Sequence, residues 1–164
     1  MCKIKVVCCG GSGTMVANLL EGQENIDVCL INSDRASLKI SKVQNKILIG
    51  NTGLGCGGDI ERAKEYAKSS INEFKDMLKD TDVVFITTGM GGGTGSAIAP
   101  VIAKLAKDLG ILSISIVTKP FAVEGKERIE NANICVKELK KYTDALIVVP
   151  NDTVLPLIDS KSKY

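Results

Sequence analysis

The chain has 164 residues, a formal net charge of +2 from 21 basic and 19 acidic residues, and only 4% aromatics. That length suits one domain with a real core. With no basic stripe, polybasic helix or aromatic platform, no nucleic-acid binding and no direct membrane contact are expected.

No apolar run approaches the ~18 residues of a membrane span, and the first residues carry no secretory signal, so a cytoplasmic protein is expected. The six cysteines, Cys2, Cys8, Cys9, Cys29, Cys56 and Cys135, form no C-x-x-C pair, and there is no histidine. No zinc site is read, and Cys8, Cys9 and Cys29 are expected to pack as small core residues.

Residues 3–9 predict a first strand, short and apolar. Gly10-Gly11-Ser12-Gly13 follows, then a helix over 14–21. A Gly-rich loop after a first strand is a nucleotide signal, weak when alone. It is not a Walker loop, because no Gly-Lys-Ser/Thr occurs in it. Residues 27–32 predict the second strand, ending in Asn32-Ser33-Asp34. Polar residues at the carboxyl end of a strand stand where α/β sheets place ligand contacts. Asp34 is open between a ribose role, a phosphate-side role and a cap for a helix over 36–40.

Residues 46–49 predict a third strand. A glycine-rich loop over 50–58 follows, readable as a ligand loop or a surface linker. Asp59 then caps a long helix over 60–78. The next unit is the most informative. Val83, Val84, Phe85 and Ile86 make a continuous apolar block, the mark of a strand covered on both faces. Gly89-Met90-Gly91-Gly92-Gly93-Thr94-Gly95-Ser96 follows, then a helix over 97–108. Glycine lets a ligand approach the backbone, and a helix start offers unpaired N–H groups and partial positive charge. Together these make a phosphate cradle, to which Thr94 and Ser96 add hydroxyl donors.

Residues 112–117 predict the fifth strand, with Pro120 as a rigid turn after it. A helix over 125–142 begins among Glu124, Glu127, Arg128 and Glu130. Glu124 and Arg128 share a face, either as a simple ion pair or as a joint grip on a ligand. The sixth strand covers 144–149 and ends at Pro150-Asn151-Asp152, and a last helix begins near Thr153. Alternating strands and helices call for an α/β, Rossmann-like, doubly wound parallel sheet with strand order 3-2-1-4-5-6. The loops at Gly10–Gly13 and Gly89–Gly95 then meet at its switch point.

These motifs, in order along the whole chain, resemble the tubulin/FtsZ family, and in particular the N-terminal GTP-binding domain of bacterial FtsZ. The Gly89–Ser96 run resembles its signature loop, and Val117-Thr118-Lys119-Pro120-Phe121 with Glu124 and Arg128 resembles its sugar-binding loop. Ile147-Val148-Val149-Pro150-Asn151-Asp152 resembles the start of its guanine contacts, and Gly53-Leu54-Gly55-Cys56-Gly57 its terminal-phosphate loop. Asn32-Ser33-Asp34 matches a loop usually read Asn-Thr-Asp. Thr14 and Met15 depart from the usual asparagines, Ala97 replaces a usual glycine, and the third loop is short.

The resemblance implies a single GTP-binding domain over residues 1–164, with the second, catalytic-loop domain and the tail absent. It implies GTP/GDP as ligand, with Mg2+ held mainly by nucleotide and water. Gly10, Gly11, Ser12, Gly13, Thr14 and Met15 would contact phosphate. Gly91, Gly92, Gly93, Thr94 and Gly95 would hold the α- and β-phosphates, and Gly57 and Gly58 would approach the γ-phosphate. Asn32 and Asp34 would stand beside them. Pro120, Glu124 and Arg128 would hold the ribose, and Asn151 would touch guanine.

No catalytic residue and no metal ligand is assigned. The implied function is that of a cell-division filament GTPase assembling head-to-tail with itself or an FtsZ homologue at the division site. Its hydrolysis would need a neighbouring subunit's acidic loop, so this chain alone would be inactive. A second reading is a non-enzymatic GTP-binding regulator or cap of such filaments. An NAD-dependent Rossmann enzyme is a third, disfavoured because no hydride-transfer constellation is evident. Val154, Leu155, Leu157 and Ile158 resemble the start of the family's central helix, whose loss would leave apolar surface uncovered and favour dimers.

Overall fold

The computed structural model describes residues 2–154. Leu155, Leu157 and Ile158 lie outside the described residues, so the expected central-helix contact is not among them. Six strands form one parallel sheet: β1 (Ile4–Cys9), β2 (Ile26–Asn32), β3 (Asn45–Leu48), β4 (Val83–Gly89), β5 (Leu112–Lys119) and β6 (Ala145–Pro150). Their order is β3-β2-β1-β4-β5-β6. The order reverses between β1 and β4, where Cys9 lies opposite Ile31 on one side and Thr88 on the other.

The helices are α1 (Gly10–Leu20), α2 (Arg35–Ile40), α3 (Ile60–Ser69), α4 (Ile71–Leu78), α5 (Gly93–Asp108), α6 (Lys126–Lys140) and α7 (Asn151–Val154), with a 3-10 turn at Ala122–Glu124. Alternation along β1 separates two cores. Val7 and Cys9 join Ile86, Phe74, Ile98, Ile102 and Leu139 under α3 to α6. Val6 and Cys8 join Val28, Leu30, Ala17 and Leu38 under α1 and α2. Five of the six cysteines are buried and all are free. Burial pushes the Cys8 and Cys29 thiols up to about 12 and Cys9 well above its usual value. They act as small apolar groups.

Three local expectations change. The helix expected over 60–78 is two helices meeting at Ser70. Next to that break the Ser69 hydroxyl donates to the Tyr66 carbonyl, and such side-chain bonds compete with the helical ladder. The helices expected from 14 and 97 start earlier, at Gly10 and Gly93. Thus Gly10–Gly13 and the second half of the Gly89–Ser96 run are first helical turns, while the 50–58 glycines lie in a loop.

The third change concerns cover. Val83 and Phe85 are only half-buried. The register carries their face on to β5 and β6, where Leu112 is 50%, Ile116 38% and Ile147 51% exposed. Among the described residues Phe85 still packs against the α1-side cluster, but no residue of β5 or β6 joins it. An apolar run alone cannot distinguish a strand buried on both faces from one awaiting cover on the second.

Candidate functional site

The site is built where β1 and β4 end side by side. β1 runs straight into α1 and β4 reaches α5 through the short turn Met90-Gly91-Gly92, so the N-termini of the two helices stand together. The contact is backbone on backbone. A Cβ on Gly10 would lie 3.1 Å from the Gly95 nitrogen, and one on Gly95 would overlap Thr88 Oγ1 and lie 3.2 Å from the Cys9 carbonyl. Gly10 also sits at φ +71°, in the left-handed region that glycine favours. Neither helix has a side-chain cap, and neither has an acid in its first turn. The first N–H groups of a helix have no internal partner. Two sets of such donors therefore converge, with their dipoles' positive ends, on one place.

That place is a cavity of about 160 Å³ lined by Gly10, Gly11, Ser12, Gly92, Gly93, Thr94, Gly95 and Arg128, together with Cys9, Thr88 and Gly89. A groove of about 860 Å³ opens from it and shares Gly92, Gly93 and Arg128. Gly57, Gly58, Gly91 and Glu124 line this groove, beside Asp59, Lys64 and Cys135.

Hydroxyl groups brace the walls. The Thr14 hydroxyl donates to the Gly10 carbonyl at 3.1 Å and accepts from Asn32 Nδ2 at 3.4 Å. Ser96 Oγ accepts from the Gly91 N–H at 2.8 Å, so Ser96 holds the loop rather than facing a ligand. Thr88 Oγ1 donates to the Cys9 carbonyl at 2.9 Å, locking β1 to β4. Thr94 Oγ1 lies 2.6 Å from Ser33 Oγ.

Other residues singled out in the sequence are spread around the rim. Gly13 packs on the backbone of Cys8. Met15 is 72% exposed. Both Asp34 carboxylate oxygens are engaged, by the Ala36 N–H at 2.9 Å and the Ser37 hydroxyl at 2.7 Å. These bonds, the Ser37 hydroxyl first, hold its carboxyl below the usual range. The cap reading of Asp34 is therefore what the geometry displays. Glu124 and Arg128 form an ion pair at 3.2 Å, and Glu124 also accepts from the Phe121 N–H at 2.7 Å. Pro120 is buried after β5, and Asn151 opens α7. Neither lines the two cavities. Asp152 accepts from the Ala122 N–H at 3.1 and 3.3 Å, which joins the loops after β5 and β6.

Residues 3–159 match the family model described as the tubulin/FtsZ family GTPase domain. The chain belongs to this family. It is 44% identical over 161 residues to cell division protein FtsZ 1 of Methanocaldococcus jannaschii and to cell division protein FtsZ of Aquifex aeolicus. Each alignment covers 95% of this chain and 44% of the relative, so the chain spans less than half the length of the curated relatives it matches. An archaeal protein stands among them, so the likeness reaches beyond the bacterial proteins that the motifs resemble.

Among solved structures, an empty FtsZ dimer from M. jannaschii superposes with a TM-score of 0.94 at 42% identity, over 99% of this chain and 49% of that one. CetZ2 from Haloferax volcanii, solved as a GTPγS-bound protofilament, gives 0.87 at 26% identity, over 98% and 52%.

Within this tubulin/FtsZ domain, two polar residues at the cradle lie outside the expected site set, Ser33 and Thr88, and Ser96, expected as a hydroxyl donor to the ligand, bonds the Gly91 N–H instead. The Ser33 hydroxyl bonds Thr94 and the Thr88 hydroxyl bonds the Cys9 carbonyl, and sequence spacing holds no sign of such distant partners. No helix among the described residues is long and apolar enough to cross a membrane. No group of three metal-ligating side chains occurs among them either.

Proposed function

We propose that this chain is the nucleotide-binding part of an FtsZ-type GTPase of a cell-division filament. One observation carries the reading: the two helix N-termini at the switch point are uncapped, free of acid, and in backbone contact. Such a pair of donor sets suits the β- and neighbouring phosphates of a nucleotide. Gly10, Gly11, Ser12 and Gly13 serve one side, and Gly92, Gly93, Thr94 and Gly95 the other. A cavity of about 160 Å³ holds phosphate groups only, so ribose and base lie over the rim. Gly57 and Gly58 stand across the shared groove, on the side of a third phosphate.

Glu124 and Arg128 serve the ribose, Pro120 fixes the turn that presents them, and Asn151 serves guanine. Gly91 places the loop, and Met15 contributes through its backbone. Asn32 and Asp34 build the wall beside Thr94. Mg2+ would be held mainly by phosphate and water, where it neutralises charge on the phosphates.

Assembly is head-to-tail, with itself or with an FtsZ homologue. The GTPγS-bound protofilament of CetZ2 supports this reading by kinship. Hydrolysis needs a positioned water at the γ-phosphate. Asp34 and Asp59 are both engaged as helix caps, which argues against their filling that role here. The neighbouring subunit supplies the acidic loop instead.

The test is GTP binding and phosphate release by the purified chain, alone and mixed with a full-length FtsZ. Binding without turnover, and turnover gained on mixing, is expected. Binding with blocked assembly of the full-length protein would favour a filament cap. Robust turnover alone, abolished by Asp34→Ala or Asp59→Ala, would overturn the shared site.

A further inference from the structure

Ser33 joins three loops at one buried point. It is 1% exposed. Its carbonyl accepts from the Gly55 N–H at 3.0 Å, and its hydroxyl accepts from the Cys56 thiol at 3.3 Å. The same hydroxyl lies 2.6 Å from Thr94 Oγ1, in the wall of the cradle, and either oxygen can be the donor in that pair. Gly93 seals the arrangement from behind, since a Cβ there would sit 3.0 Å from Cys56 Cβ and 3.1 Å from the Asp59 carbonyl.

The direction of donation decides what Thr94 can do. A hydroxyl has one hydrogen to give. If Thr94 donates to Ser33, it has nothing left for a ligand. A phosphate at this pH is chiefly an acceptor. Thr94 can donate to it only by accepting from Ser33. Ser33, having spent its own hydrogen on Thr94, still accepts from the Cys56 thiol on one of its lone pairs. One direction therefore meets every need: Cys56 to Ser33, Ser33 to Thr94, Thr94 to phosphate.

We propose that Ser33 is a positioning residue that sets the Thr94 hydroxyl as a donor to bound phosphate and ties the Gly50–Gly58 loop to that setting. This rests on the reading of the cradle as a nucleotide site. Before binding, the Ser33–Thr94 bond can run either way. Phosphate selects one direction, and the loop carrying Gly55 and Cys56 is then held by a polarised chain rather than an indifferent one.

The test is a GDP titration with the parent chain, Ser33→Ala, Ser33→Thr, Thr94→Val and the Ser33→Ala/Thr94→Val double variant, each checked by a thermal melt. Ser33→Ala should weaken GDP about tenfold, the scale of one hydrogen bond to a charged group. Ser33→Thr should restore affinity to within about threefold. On the Thr94→Val background, Ser33→Ala should add no further loss, because Ser33 acts through that hydroxyl.

Unchanged affinity in Ser33→Ala, or full additivity in the double variant, overturns the proposal while leaving the cradle standing. A parent chain that binds no GDP overturns the cradle and the proposal together. If Ser33→Ala does not fold, the parent chain still decides. Saturating GDP should slow alkylation of Cys56 by N-ethylmaleimide, read peptide by peptide, at least about threefold, and an unchanged rate overturns the proposal.

Discussion

Four helices on the carboxyl side of the sheet, two on one flank and two at its centre, begin in two ways. On the flank, α2 and α3 start on aspartates whose carboxylates bond the first-turn N–H groups, Asp34 to Ala36 and Asp59 to Arg62. At the switch point, α1 and α5 start on Cys9 and Gly92, with no side-chain cap and no acid in the first turn. The unused donors of the flanking helices are answered from within the chain. Those of the central pair are left for something else. Uncapped N-termini are ordinary singly; two of them touching through Gly10 and Gly95, above a cavity, are not.

The sharpest way to break this contrast is Gly95→Val. The new Cβ would overlap the Thr88 hydroxyl in a wall of backbone, where overpacking costs about 1–3 kcal/mol or more. Melting should drop and GTP binding should vanish. A variant that melts and binds like the parent would mean the two helix starts need no close approach. Gly92→Ala separates binding from folding. No atom lies within 4 Å of its added Cβ, and its φ of −87° suits alanine. Its melt should match the parent while GTP affinity falls about tenfold, as for one lost hydrogen bond to an ionised phosphate.

Gly93, by contrast, does not serve this purpose. The sequence suggests that a side chain there would block phosphate, but its Cβ direction meets Cys56 and Asp59 behind the cradle. Gly93→Val should therefore damage packing first.

On the flank the expected effect reverses. Asp34→Ala should cost about 1 kcal/mol of stability at neutral pH, the usual worth of a cap, and change GTP affinity less than about threefold. The pH dependence has a definite sign. Hydrogen bonds to Ser37 and Ala36 lower the folded pKa of Asp34. Its contribution is then fully present above the unfolded carboxyl's value of about 4 and is lost as pH falls through the folded one. Parent and Asp34→Ala melts should converge once the pH has fallen well below the usual carboxylate range. Parallel curves down to that pH would mean the carboxylate is not the cap.

These pairs also mark what sequence alone conveys. The strands were legible because their apolar runs are short and bounded by glycine, proline and polar residues, as with Ile4–Cys9 and Leu112–Lys119. The strand order followed from handedness. Helix starts at Gly10 and Gly93 were not legible, because glycine is among the poorest helix formers. Tertiary packing overrides that preference, since the motif's Gly13 and Gly95 lie too close to Cys8 and Thr88 for any side chain. The cradle's location was readable from its glycines. Its bracing by Ser33 and Thr88 was not, because each bond joins parts of the chain that only the fold brings together.

The Glu124–Arg128 pair gives a smaller effect. Both side chains are substantially solvated, and exposed pairs contribute about 1 kcal/mol or less. Arg128→Ala should leave the melt unchanged and weaken GDP binding about fivefold, because Arg128 lines both the cavity and its groove. Loss of stability with unchanged affinity would make the pair a brace for α6 and nothing more.

The smallest effect belongs to the far rim. Guanine presents two adjacent donors, its ring N–H and its amino group, and a carboxylate accepts from both at once. Asn151 offers one carbonyl oxygen and so meets only half of that edge well. The neighbouring carboxylate is not free to help, because both oxygens of Asp152 accept from the Ala122 N–H. Base reading that leaves a donor unpaired discriminates weakly. The parent chain should therefore prefer GTP over ATP by about tenfold, and Asn151→Ala should cut that to about threefold or less, in line with one neutral hydrogen bond. Competition titrations with the two nucleotides measure both ratios. Equal affinity in the parent would mean that Asn151 does not reach the base. A preference of a thousandfold, surviving Asn151→Ala, would mean that another group reads guanine.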